Sequence, residues 1–157
     1  LMEQRLKASE LSLLNASVSG ETTAGGLARL PDLLDVHEPK WVLLELGAND
    51  GLRGTPLNII QTNLEALASS ITESGAKLIV IGIQLPPNYG PRYTRAFFNL
   101  FPKLAETFDA PLVPFLLAGV ATDWDLMQSD GLHPKAEAQP IILETVMSVV
   151  GPEIGVQ

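Results

Sequence analysis

Two short apolar runs, at residues 41–46 and 78–83, constrain this chain more than any other feature. The first, Trp-Val-Leu-Leu-Glu-Leu, is apolar at every position but Glu45, and the second, Leu-Ile-Val-Ile-Gly-Ile, has no polar side chain at all. A strand with one wet face alternates apolar and polar residues, whereas a strand covered by helices on both sides is apolar throughout. Both runs lead through a loop into a helical pattern. That alternation predicts an open parallel sheet with helices on both faces, an α/β fold.

The other segments fit the same plan. Residues 11–16 read as a strand that ends in a turn at Ser19-Gly20, and residues 22–36 as a helix with Leu27, Leu30, Leu33 and Leu34 on one face. Residues 47–54 read as a glycine-rich loop, and residues 56–74 as a helix with proline at an early position. Pro86-Pro87-Asn88-Tyr89-Gly90 breaks the chain after the second run. Residues 92–108 then read as a helix, residues 111–115 as a short strand, and residues 136–150 as a last helix, bent or started late at Pro140. No repeat, linker or low-complexity tract divides the 157 residues, so a single domain over 1–157 is expected.

Composition removes several classes of function. With 46% hydrophobic and 18% charged residues the chain suits a packed core, not a disordered segment. A net charge of -8, a pI near 4.6 and the lack of a basic stripe argue against nucleic acid. The absence of cysteine excludes disulfides, a thiol nucleophile and thiolate metal sites, and leaves the compartment open. No apolar run is long enough to span a membrane. There is no signal peptide, and the first residue is Leu1, so an internal point of a longer reading frame is expected there, with any targeting segment outside the sequence.

Three loops carry chemistry. Asp130-Gly131-Leu132-His133-Pro134 places a carboxylate three residues before a histidine that Pro134 restricts to extended conformations. Asp130 can then reach back to Nδ1 and leave Nε2 as a general base; the bland alternative is a surface turn with Pro134 opening a helix. In Gly47-Ala48-Asn49-Asp50-Gly51, the Asn49 amide can donate to a developing oxyanion, or the loop can be a simple turn. Asp50 reads as a cap or brace of that loop. Gly20 can offer a backbone N–H to the same oxyanion, or serve only as the turn before a helix capped by Thr22 or Thr23. Ser17 and Ser19 read as turn residues, and Ser129 lies too close to Asp130 to be its triad partner. His37 suits a helix C-terminus, and Glu45 reads as paired or at a sheet margin. Tyr89, Arg92 and Tyr93 either border substrate or form a solvated turn.

Together these pieces resemble the SGNH hydrolases, also called the GDSL family of esterases and lipases, in their bacterial thioesterase, lysophospholipase and arylesterase branch. The family's second block matches residues 15–22 with Gly20, its third block Gly47-Ala48-Asn49-Asp50, and its fifth Asp130-Gly131-Leu132-His133. Residues 27–31, 41–46, 85–90 and 138–140 also look like that branch, and the resemblance covers about residues 11–150. It implies a flavodoxin-like three-layer sheet. It also implies an interior first strand between the strands matching residues 11–16 and 41–46, ending in a Gly-Asp-Ser block that carries the nucleophile. That block is absent from the sequence and is expected upstream of Leu1. Without it the chain is expected to be inactive, and to be unstable or to associate through its opened strand edges.

The resemblance implies a serine esterase or thioesterase acting on acyl esters of the lysophospholipid, acyl-CoA or aryl type. Asp130 and His133 are catalytic in that reading, and Gly20 and Asn49 form the oxyanion hole. No metal and no organic cofactor is implied. The partner is a small acyl ester or thioester, with no nucleic acid and no stable membrane insertion, in a periplasmic or secreted location. Two alternatives are a non-catalytic binding module that keeps the crevice and a flavodoxin-like phosphate binder. The second lacks the Gly-x-x-x-x-Gly-Lys-Ser/Thr loop.

Overall fold

The computed structural model describes residues 1–156. They form two compact units, Val18–Pro114 and Leu1–Ser17 together with the chain from Phe115 onward.

The Val18–Pro114 unit is α/β. Helix α2 (Thr23–His37) follows the short N-terminal helix α1 (Met2–Leu6) in chain order, and then come β1 (Trp41–Leu44), α3 (Ala48–Leu52), α4 (Leu57–Glu73), β2 (Lys77–Ile81), α5 (Pro91–Phe98), α6 (Leu100–Thr107) and β3 (Leu112–Val113). The three strands are parallel in the order β1-β2-β3, with Leu44 opposite Val80 and Ile81 opposite Val113. Both apolar runs are strands, shorter than the sequence suggested. The central strand β2 is buried from Leu78 through Ile81, as a strand covered on both faces must be. Around it pack Ile60, Leu64, Leu67 and Ile71 of α4 with Phe97 and Phe101, the last two edge to face at 5.4 Å. Burying each such side chain contributes about 1.5–3 kcal/mol. Glu45 lies just beyond the end of β1 and is exposed, the sheet-margin place expected of it.

The sequence reading needs correction in three places. Residues 11–16 form no strand: the segment is extended, but no described strand pairs with it, and a β-strand exists only through its partner's hydrogen bonds. The loop expected at 47–54 contains α3, opened by Gly47 at φ +114 and closed by bonds such as Gly51 N–H to Gly47 O at 2.9 Å. The helix expected at 92–108 is two helices that meet at Asn99. Pro102 has no N–H to donate to Phe98, and its ring would press on that carbonyl. The last helix, α7 (Gln139–Ile154), starts late, after a 3₁₀ turn at Ala136–Ala138 and with Pro140 in its first turn, one of the two forms expected for it. β1 is paired on one side only, and no described strand lies along its other edge.

In the second unit α7 is tied to α1 by the Arg5–Glu144 ion pair. A small core of Val120, Met127 and Ala138, flanked by Leu117, Leu126 and Ile142, supports the loop that carries Asp130 and His133.

One glycine sets how closely β2 and β3 approach. Gly82 N–H donates to Val113 O at 2.7 Å, and a Cβ on Gly82 would stand 2.1 Å from the Pro114 carbonyl oxygen. Backbone cannot rotate away as a flexible side chain can. Gly82→Ala is therefore expected to destabilise the protein by about 1–3 kcal/mol, the usual range for overpacking. The check is the denaturation midpoint of the full-length protein, and an unchanged midpoint would contradict the close approach.

Candidate active site

In the Val18–Pro114 unit the candidate groups lie where two helices begin. Gly20 sits in the turn closed by Glu21 N–H to Val18 O at 3.2 Å, with φ +77, a conformation that favours glycine. It is exposed, and its N–H donates to no described residue. Its carbonyl accepts a bond from Arg53 at 3.2 Å. Thr22 is the cap of α2, its hydroxyl oxygen accepting from Gly25 N–H at 3.1 Å.

Asn49 lies in the first turn of α3, half-buried. Its Nδ2 donates to Glu21 O at 3.0 Å. A carbonyl can only accept, so the amide must present nitrogen to it, which fixes the amide's orientation. The second hydrogen on Nδ2 is left for another acceptor. The next residue, Asp50, is 3% exposed, and its carboxylate accepts from Thr23 N–H and Thr23 Oγ1, both at 2.8 Å. Asn63 Nδ2 donates to the same Thr23 oxygen at 3.0 Å.

Tyr89 and Tyr93 are spent on structure. Their hydroxyls donate to Leu52 O and Thr55 O, each at 3.0 Å, and so hold the C-terminal end of α3. Desolvation first, then the Asp50 charge and Tyr89, push the Tyr93 hydroxyl above its ordinary pKa and keep it a donor. Arg92 is exposed. Gly51, given no role of its own in the sequence, lets α3 rest on the core: a Cβ there would lie 2.8 Å from the Leu85 side chain and 2.9 Å from the Phe97 ring.

In the second unit the Asp130–His133 loop is a small braced hairpin. Met127 bridges Pro134 in antiparallel fashion, Gln128 N–H donates to His133 O at 2.8 Å, and Lys135 N–H donates to Leu126 O at 2.8 Å. These bonds fix the chain on either side of His133, and Pro134 opens no helix. Gly131 makes the reversal at φ +65, against the Trp124 ring. Asp130 Oδ1 accepts the Leu132 and His133 N–H groups at 2.9 and 3.0 Å, and its Oδ2 lies 2.7 Å from His133 Nδ1.

These bonds, led by that from the His133 ring and followed by the two backbone N–H bonds, lower the Asp130 pKa to about 2. An ionised carboxylate only accepts, so Nδ1 is the ring's donor. In the neutral ring Nε2 is then a free base, and the His133 side chain is 69% exposed. Among the described residues no serine hydroxyl bonds this ring, and the hydroxyls of Ser9, Ser70, Ser74 and Ser148 are bonded to backbone carbonyls. His37 is exposed in the last turn of α2.

The sequence profile of the GDSL-like lipase/acylhydrolase family matches residues 1–140. The chain belongs to this family. It is 53% identical over 137 residues to an arylesterase of Vibrio mimicus, covering 87% of this chain and 68% of that protein. It is 47% identical to the esterase TesA of Pseudomonas aeruginosa, covering 97% of this chain and 77% of that one. A crystal structure of the psychrotrophic esterase EstA from Pseudoalteromonas, inhibited by monoethylphosphonate, superposes with a TM-score of 0.92 at 42% identity, covering 98% of this chain and 85% of that one. Membership makes this GDSL-like chain an ester hydrolase with a flavodoxin-like fold. Among the described residues no helix is long and apolar enough to cross a membrane, and no cluster of three or more His, Cys, Asp or Glu is placed to hold a metal.

The depressed Asp130 pKa has a sign that can be tested. A carboxyl whose folded pKa lies below its unfolded value stabilises its loop above the unfolded pKa and loses that contribution as pH falls through the folded one. Carbon-detected NMR titration of the Asp130 carboxyl is expected to show a midpoint near 2. A midpoint at the ordinary 3.8 would mean that the ring and backbone bonds do not hold the charge.

Proposed function

We propose that residues 1–157 carry the general base, its orienting carboxylate and two oxyanion donors of a serine ester hydrolase that works through an acyl-enzyme. In this reading a serine hydroxyl attacks the ester or thioester carbonyl and its proton passes to His133 Nε2. Asp130 fixes the ring and stabilises the imidazolium. Gly20 N–H and the second hydrogen of Asn49 Nδ2 hold the carbonyl oxygen as it becomes negative. Collapse expels the alcohol or thiol, which takes the proton from His133. Water then attacks the acyl-enzyme, gives a proton to His133, and the serine recovers it as the acid leaves. Nothing in this sequence of steps calls for a metal or an organic cofactor.

The observation that carries the reading is the 2.7 Å contact of Asp130 Oδ2 with His133 Nδ1, in a loop that leaves the ring exposed. The reaction needs both half-sites to act on one carbonyl, so residues 1–157 are proposed to belong to one hydrolase domain. Gly-Asp-Ser does not occur among them. The nucleophile is accordingly proposed to lie outside these residues, which by themselves would not turn over. The names of the relatives support acyl esters and thioesters as substrates: an arylesterase, and thioesterase 1/protease 1/lysophospholipase L1 of Escherichia coli at 44% identity. The family resemblance supports a periplasmic or secreted place. A phosphate-binding role is disfavoured, because N–H groups in the first turn of α2 that would cradle a phosphate are taken by Asp50 and Thr22.

In the full-length protein, His133→Ala is expected to lower kcat for a short-chain aryl ester by several orders of magnitude, since triad members act as a unit. Asn49→Ala is expected to lower kcat by roughly 10²–10³ with a smaller change in KM, as befits a donor used mainly in the transition state. Steady-state kinetics on the two variants decides the matter, and a kinetically silent Asn49→Ala would remove the oxyanion assignment.

A further inference from the structure

We infer that Asp50 is a positioning residue for the oxyanion hole: through Thr23 it fixes the separation between the Gly20 turn and the Asn49 amide. The inference rests on the proposed roles of Gly20 and Asn49.

Four hydrogen bonds join the segment 20–23 to the segment 49–53. Two are at the surface or half-buried, Asn49 Nδ2 to Glu21 O at 3.0 Å and Arg53 to Gly20 O at 3.2 Å. Two are fully enclosed, from Thr23 N–H and Thr23 Oγ1 to the two oxygens of Asp50 at 2.8 Å. Thr23 has no exposed surface and Asp50 has 3%. An exposed bond exchanges readily with water and holds little. A buried one, when broken, leaves its groups with the full penalty of lost solvation. The enclosed pair therefore sets the geometry, and the outer pair follows it.

The arrangement exceeds what capping α2 requires. Thr22 already supplies a local cap to Gly25 N–H. Asp50 reaches the first helical N–H of α2 from 27 residues away and takes the hydroxyl of the same residue as well. Asn63 donates to Thr23 Oγ1, so the hydroxyl hydrogen has to point at Asp50. Thr23 is thus held by its N–H and its side chain together. On one side of this tie, Asp50 is the direct neighbour of Asn49. On the other, Thr23 is two residues from Glu21, whose carbonyl orients the Asn49 amide, and three from Gly20. A shift of Thr23 against Asp50 moves one oxyanion donor relative to the other.

The test is a double-mutant cycle in the full-length protein, with kcat expressed per active site titrated to completion by a fluorophosphonate, so that unfolded protein is not counted. Asp50→Asn retains the shape but replaces one acceptor oxygen by a donor. It is expected to lower kcat by about 10- to 100-fold, the scale of a displacement near 1 Å at a reacting centre, with KM little changed. Thr23→Val keeps the backbone N–H bond and is expected to lower kcat less, in the same sense. In an Asn49→Ala background both losses should largely vanish, because the donor being positioned is gone. Should Asp50→Asn fail to fold, Thr23→Val in the two backgrounds gives the same decision. Unchanged kcat per titrated site, or a loss of equal size with and without Asn49, would overturn the positioning role while leaving the oxyanion assignment standing. A silent Asn49→Ala would instead overturn that assignment and this inference with it.

Discussion

The bond between a buried carboxylate and a buried threonine holds together the loops where α2 and α3 begin in the Val18–Pro114 unit. Asp50 comes from a helix of five residues that could not persist alone in water, and Thr23 from the first turn of a helix of fifteen. The short helix gains a fixed place from the tie, and the long one gains an acceptor for an N–H that its own turn cannot satisfy. Tyr89 and Tyr93 secure the far end of the short helix, and Gly51 lets it lie against Leu85 and Phe97. Asn49 thereby stands on a rigid support, although its helix is too brief to be one unaided.

His133 is supported differently. Its loop is exposed, and order comes from backbone bridges across the hairpin and from a carboxylate that bonds the ring and two successive N–H groups. Charge is what makes this arrangement effective: an ionised Asp130 accepts all three bonds at once and dictates which ring nitrogen carries the proton.

Much of this was legible in the sequence. The runs around β1 and β2 announced themselves because nearly every residue is apolar, and a doubly covered strand leaves no room for alternation. Asp130, His133 and Pro134 declared their geometry because proline restricts the residue before it and a carboxylate three residues back can reach the ring. Other features were hidden for physical reasons. Gly-Ala-Asn-Asp-Gly has poor helix formers at every position but Ala48, so α3 exists through tertiary bonds that no local pattern reveals. The break at Asn99 follows from Pro102 acting on the carbonyl four residues earlier. Residues 11–16 are a short apolar run with leucine at three of six positions, yet a strand needs a neighbour. The partner of Asp50 lies 27 residues away, and nothing in either local sequence points to the other.

The central claim is that His133 serves a serine that is not among these residues, and the most direct measurement is to locate that serine. The full-length protein would be treated with a fluorophosphonate, digested, and the modified peptide sequenced by mass spectrometry. The account predicts a single labelled serine, within Gly-Asp-Ser and outside residues 1–157, whose labelling is lost in His133→Ala. A label on a serine within residues 1–157, or labelling indifferent to His133, would contradict it.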